Sequence, residues 1–222
     1  IDDQGLILTI GYLVLEAASV LVIDGDNKIY PASVVGFDHA TGFGLLRAKP
    51  APPCAPVELG DSSALSELQG LVVAGHEGAG GVTGAALVSR RRFTGWWEYM
   101  IDDALFTAPP RYEHSGAALF DGEGRLVGIA SLWVSDALNT GMAFPGNMFV
   151  PINLLKDVLP DLVKSGRRRG DKRPWLGLNT EQLEGNVVVS RVLPDSPAEQ
   201  AGIQRGDIIL RSEEHTSELQ SH

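Results

Sequence analysis

Ser115 is the residue whose type and surroundings best fit a chemical role. It stands in Glu113-His114-Ser115-Gly116-Ala117-Ala118-Leu119, just ahead of the turn Asp121-Gly122-Glu123-Gly124. A serine hydroxyl is a poor nucleophile at neutral pH. It becomes one when a base lies within hydrogen-bond reach and a third group orients that base. The histidines available to Ser115 by sequence are His39, which follows Asp38, His76, and the adjacent His114. Neighbouring side chains on a loop usually point apart, which counts against His114. The single cysteine, Cys54, sits in Pro50-Ala51-Pro52-Pro53-Cys54-Ala55-Pro56 and reads as a loop thiol without a catalytic task.

The elements that must position Ser115 are short and mostly extended. Residues 105–129 read as an extended lead-in, a polar loop, a strand over 117–120, a turn, and a strand over 125–129. Upstream, residues 6–9 read as a strand, and 12–15 as a continuation into a short helix or turn. Residues 20–23, the turn Asp24-Gly25-Asp26-Asn27 and residues 28–31 form a hairpin. Further strands are expected over 32–37, 42–48, 71–75, 82–89, 99–107 and 142–150. Ile152, Leu155, Val158, Leu159 and Leu162 recur at helical spacing, so 151–163 reads as an amphipathic helix despite Pro160. Residues 187–192 alternate and branch at Cβ, hence another strand. Ser196 as N-cap, Pro197 at N1 and Glu199 closing a capping box start a short helix that Gly202 ends. A strand follows from Gly206 to Leu210.

Composition bounds the function. With 222 residues the chain holds one or two domains. Its 44% hydrophobic and 21% charged content is ordinary for a soluble globular protein, and 26 Gly with 13 Pro favour a turn-rich β protein. A net charge of −10 argues against a general nucleic-acid role. One cysteine excludes an internal disulfide. There is no recognisable signal peptide and no apolar run of about 18 residues. The chain is expected to be cut at both ends, because Ile1 opens inside a strand-turn-strand pattern. Residues 211–222, RSEEHTSELQSH, resemble an in-frame translation of a sequencing adapter and are set aside from the fold. Gly78-Ala79-Gly80-Gly81 reads as a turn, since no Lys-Ser/Thr follows it as in a phosphate loop. Residues 164–173, KSGRRRGDKR, carry six basic residues against Asp171. Contact with nucleic acid or an anionic membrane is one reading; a solvated linker, without aromatics and between folded units, is the favoured one.

The order of these segments resembles HtrA-type (Deg-type) serine proteases, which are trypsin-like. Their nucleophile loop reads GNSGGPL, and Ser115 and Gly116 match it while Glu113, Ala117 and Ala118 do not. Their histidine motif, ILTNAHVV, lines up with Ile7-Leu8-Thr9-Ile10-Gly11-Tyr12-Leu13-Val14, so Tyr12 takes the histidine position. Their aspartate motif, DPxTDLAVLK, lines up with residues 38–47, so Gly42 takes the aspartate position. Asp61-Ser62-Ser63 resembles the LGDSS stretch before the second barrel, and residues 150–156 the VPINLLK helix start. Trp175-Leu176-Gly177-Leu178 resembles the GLGF-type carboxylate-binding loop of a PDZ domain.

The resemblance implies a mainly β fold: two six-stranded trypsin-like β-barrels plus a truncated α+β PDZ domain. The domains expected are 1–164 for the barrels, 165–174 for a basic linker and 175–210 for a partial PDZ domain. Catalytic positions are Ser115 for the nucleophile, Tyr12 for histidine and Gly42 for aspartate. Peptide binding falls to Trp175, Leu176, Gly177 and Leu178. No cofactor or metal is expected. A neutral phenol ionises near pH 10 and is a poor proton acceptor at pH 7, and Gly42 has no side chain to orient anything. The family uses a glycine two residues before the nucleophile to form the oxyanion hole; Glu113 places bulk and negative charge there. A non-catalytic peptide-binding pseudoprotease is therefore the first expectation. An active endopeptidase using His39 or His114, and a regulatory subunit that co-assembles with an active paralogue, are the others. The resemblance further implies a bacterial periplasmic or envelope setting, unfolded polypeptides or C-termini as partners, and trimers.

Overall fold

In this computed structural model the described residues are 1–15, 17–76, 81–94, 100–169, 176–183 and 185–210. They fall into two compact units, Ile1–Arg169 and Gly170–His222.

The first unit begins with an antiparallel sheet of β1 (Leu6–Ile10), β2 (Val20–Ile23), β3 (Ile29–Phe37) and β4 (Phe43–Ala48), in the order β1-β4-β3-β2. A single turn of 3₁₀ helix, Gly11–Leu13, follows β1. The two strands expected over 28–31 and 32–37 are one nine-residue strand, β3. Pro31 splits them in the sequence because proline cannot donate to a ladder. The strand runs on through it nonetheless, and its carbonyl accepts from Lys49 N–H at 3.0 Å. Among the described residues this half supplies four strands rather than the six of a closed barrel. Residues 11–15 turn instead of extending, and the Pro-rich 50–56 stretch cannot form a ladder.

The second half closes. β5 (Gly70–Ala74), β6 (Val82–Thr94), β7 (Met100–Ala108), β8 (Ala118–Phe120), β9 (Leu126–Val134) and β10 (Gly146–Pro151) form a six-stranded barrel in the order β10-β7-β6-β5-β8-β9. Its interior holds Leu71, Val73, Leu87, Leu105, Leu119, Val127 and Phe149. A second apolar cluster joins both halves: Ile10, Phe43 and Leu45 of the first sheet pack with Phe106, Met148 and Val150 of the barrel. Helix α1 (Ile152–Ser165) seals that cluster with Ile152, Leu155, Val158 and Leu162, all essentially inaccessible. Burying each such side chain contributes about 1.5–3 kcal/mol. Pro160 lies within α1.

The second unit contains β11 (Leu178–Leu183), β12 (Asn186–Val192), the single-turn α2 (Pro197–Gln200) and β13 (Ile208–Ile209). The sheet order is β11-β12-β13, antiparallel throughout. Ser196 Oγ caps α2 by accepting from Glu199 N–H at 3.2 Å, and Glu199 reaches back to Asp195 N–H at 2.8 Å. Trp175 and residues 211–222 lie outside the described residues, as do Gly78, Ala79 and Gly80.

Candidate functional site

The loop bearing Ser115 is built from both ends. Asn147 on β10, 1% exposed, braces its lead-in: Arg111 N–H donates to Asn147 Oδ1 at 2.6 Å, and Asn147 Nδ2 donates to the Arg111 carbonyl at 2.9 Å. After Ser115, Ala117 N–H closes a turn onto the His114 carbonyl at 2.8 Å, and Gly116 N–H donates to the Ala130 carbonyl on β9 at 2.9 Å. Gly116 has φ +78, and a Cβ there would lie 3.1 Å from Thr9 Oγ1. The loop thus lies directly against β1 and the turn that carries Tyr12.

Tyr12 meets Ser115 there. Its Oη lies 2.7 Å from Ser115 Oγ and 2.7 Å from the Ser131 carbonyl on β9. A phenol carries one proton and a carbonyl can only accept. Tyr12 therefore donates to Ser131, and the Ser115 hydroxyl donates to Tyr12 Oη. The serine proton points at the oxygen of a phenol whose own proton is already engaged. To remove that proton as a general base, Tyr12 would first have to be a phenolate.

The remaining candidates are placed elsewhere or otherwise engaged. Gly42 adjoins the Tyr12 turn, since its carbonyl accepts from Gly11 N–H at 2.6 Å. Its φ is +80, so an aspartate there would sit on strained backbone. Asp38 is buried, 3% exposed, and is clamped by Arg168 and by Thr41 Oγ1 at 2.6 Å. His39 packs its ring edge-on against Phe37, with centroids 4.4 Å apart. His114 turns Nδ1 to the Tyr112 carbonyl at 2.7 Å. His76 lies 4.0 Å from the Glu113 carboxylate. Among the described residues, Ser115 Oγ is bonded to Tyr12 and to none of these three imidazoles. The Glu113 carbonyl accepts from Arg111 Nε at 3.0 Å, and its side chain is 57% exposed.

Three contributors escape sequence reading. Asn147 and Ser131 lie within apolar runs and carry no spacing signal. Arg168 lies in the basic stretch expected to be a solvated linker, yet it reaches a buried carboxylate on the first sheet.

In the second unit Gly177 has φ +72. The carbonyls of the loop face into the unit: Leu176 accepts from Ala198 N–H at 2.9 Å and Gly177 from Leu193 N–H at 2.8 Å. The loop leads straight into β11, whose far edge carries no strand among the described residues.

A closed six-stranded barrel packed on a second antiparallel sheet, with a serine loop at their junction, is the architecture of a trypsin-like peptidase. The trypsin-like peptidase domain family matches residues 1–129, and the chain belongs to it. The PDZ domain family matches residues 188–211, and the whole is of the HtrA/Deg type. The serine endoprotease DegS of Haemophilus influenzae is 29% identical over 95% of this chain and 62% of its own length. The periplasmic serine endoprotease DegP of Escherichia coli K12 is 27% identical over 93% of this chain and 45% of its own. The chain thus spans about half the length of such relatives. Among solved structures, the HtrA-type protease AlgW with a decapeptide shares the fold at a TM-score of 0.64 and 23% identity, over 95% of this chain and 67% of that one.

Proposed function

We propose that this HtrA-type chain is a pseudoprotease: it binds polypeptide without cutting it, and serves quality control or scaffolding in a bacterial envelope. The observation that carries the proposal is the 2.7 Å contact of Ser115 Oγ with Tyr12 Oη, a phenol committed to the Ser131 carbonyl. Tyr12 stands at the family's histidine position and Gly42 at its aspartate position, so the serine has neither base nor orienting carboxylate. Removing triad members leaves at most the roughly 10³–10⁴-fold residual over water that binding and the oxyanion hole give. Glu113 weakens the second of those contributions.

The peptide-binding role rests on residues 175–178. The Leu176 and Gly177 carbonyls turn inward; in this reading the loop holds a terminal carboxylate while the peptide adds as a strand along β11. The partners are unfolded polypeptide or polypeptide C-termini. Self-association, a trimer by resemblance, or co-assembly with an active paralogue fits the same role. That the relative DegP of Escherichia coli is a periplasmic serine endoprotease supports an envelope setting.

A fluorophosphonate probe tests the central point. Labelling of wild-type protein should equal that of S115A, and casein should survive incubation with either. Labelling or casein turnover that is lost in S115A would establish an active serine enzyme instead.

A further inference from the structure

β6 changes register against β7 on its way to Arg91. Leu87 pairs with Thr107 but Ser89 with Phe106, so Val88 is the extra residue of a bulge. Bulges bend a strand and re-aim side chains. Beyond this one, Ser89 and Arg91 both reach the segment after β9. Ser89 Oγ donates to the Ala137 carbonyl at 2.6 Å, and Arg91 Nη1 donates to Ser89 Oγ and, at 2.7 Å, to the same carbonyl. Arg91 Nη2 donates to the Asp136 carbonyl at 3.1 Å. A guanidinium carries five N–H donors in one plane. Nη1 is used twice and Nη2 once. The Nε edge, where Nε–H and the second Nη2–H lie side by side, makes no hydrogen bond among the described residues. Two parallel N–H groups of this kind are what a carboxylate accepts in a bidentate pair.

Arg91 also lines an open hollow of about 430 Å³, together with Phe93, Phe106, Trp133, Asp136 and Asn139. That volume is in the range of small-molecule sites, which are mostly apolar with a few placed polar groups. Phe93 is half-buried and Trp133 is 42% exposed. The other charges at the hollow are engaged: Arg92 Nε donates to Asp102 Oδ1 at 2.7 Å, and Asp136 Oδ2 accepts from Gly141 N–H at 2.7 Å. Burial lowers the Arg91 pKa from the usual arginine value, and the Asp136 charge opposes this only in part. We infer that the hollow is a binding site for a small aromatic monocarboxylate, its carboxylate on the open Nε edge of Arg91 and its ring against Phe93 and Trp133. No covalent bond changes. A phosphate dianion suits the site less well, because the second guanidinium there already has its carboxylate. The inference stands apart from the proposed function, since no residue of the Ser115 loop lines the hollow.

Phenylacetate is the probe, with phenylacetamide as its uncharged isostere. In isotope-labelled protein, phenylacetate should shift the Arg91 Nε–Hε resonance saturably, with a Kd on the order of 1 mM for a ligand of this size. The resonance is assigned by its loss in Arg91→Lys. Phenylacetamide should bind about ten-fold more weakly, because its hydrogen bonds are not charge-assisted. Arg91→Lys keeps the charge without the planar fork and should weaken phenylacetate binding about ten-fold by calorimetry. Trp133→Ala leaves Arg91 and its loop contacts in place and should weaken binding several-fold through lost apolar contact. An Nε resonance that stays put, or equal affinity for the amide, would overturn the site. So would binding by either variant that matches wild type. Inorganic phosphate at the same concentration should leave the resonance in place; an equal shift with phosphate would reduce the hollow to a non-selective anion contact and overturn the assignment.

Discussion

Arg168 grips the carboxylate of Asp38 with two nitrogens, Nε at 3.1 Å and Nη2 at 2.8 Å, across 130 residues of sequence. Asp38 is 3% exposed and Arg168 43% exposed. The pair fixes the chain leaving α1 to the turn that carries Gly42, and so to the Tyr12 backbone. Burial pushes the Asp38 carboxyl up, but hydrogen bonds from Arg168 and Thr41, with the guanidinium charge, outweigh it and hold the group below the usual carboxylate range. A depressed folded-state pKa contributes stability that is present above the unfolded value, about 3.9, and is lost as pH falls through the folded value. Arg168→Ala should cost about 1–2 kcal/mol at pH 7, discounted from a fully buried pair because the arginine is partly solvated. In urea titrations the gap between wild type and R168A should be full above about pH 4 and narrow below it. A gap independent of pH would remove the ion pair as its source.

The site proposed to be inactive should be partly repairable, because the loop that carries Ser115 is braced at both ends. Tyr12→His supplies an imidazole beside Ser115 Oγ, and Glu113→Gly removes charge and bulk from the oxyanion position. Fluorophosphonate labelling of the double variant should exceed wild type about 10- to 100-fold, short of a full triad because Gly42 supplies no carboxylate. The rate is read against the same variant carrying Ser115→Ala. No gain over that control would mean that the loop is misarranged, not merely lacking its partners.

Asn147 yields a prediction that no motif suggests. It is the buried side chain that holds both the N–H and the carbonyl of Arg111. Asn147→Ala removes two main-chain hydrogen bonds at the entrance to the Ser115 loop and should destabilise by about 1–3 kcal/mol. Hydrogen exchange should then quicken first around residues 111–115, ahead of the barrel strands. Uniform change across the barrel would argue for a packing defect instead.

These cases mark where sequence reading reaches and where it stops. Helix α1 is legible because its periodic apolar residues are the buried ones. Hairpins are legible wherever Asp and Gly punctuate them. β6 and β9 run longer than their apolar patterns suggest. Arg90, Arg91 and Arg92 lie beyond the strand expected over 82–89, yet they continue β6, and Arg91 stacks on Phe106 with its guanidinium carbon 3.5 Å from the ring centroid and bonds the Ala137 carbonyl. The approach of Tyr12 to Ser115, 103 residues apart, is legible only from motif order. The Arg168–Asp38 clamp is not legible at all, because a run of arginines reads as solvated until a buried carboxylate is seen facing it. β11 is missed for a related reason: Leu178–Leu183 is almost wholly exposed, so it shows no alternating pattern.

The PDZ loop offers the sharpest test outside the barrel. Gly177 has φ +72, a conformation that costs an L-residue about 1 kcal/mol or more, and its carbonyl is tied to Leu193 N–H at 2.8 Å. Gly177→Glu therefore strains the loop and sets a negative charge where the proposed function puts a terminal carboxylate. Calorimetric titration with a free-carboxylate peptide should show binding in wild type and none in G177E. An amidated peptide should bind neither through this loop. Gly177→Ala separates the two effects, since it keeps the strain without the charge and should weaken binding only several-fold. Binding equal in wild type and G177E would move the carboxylate site away from residues 175–178, and with it the strand-addition path along β11.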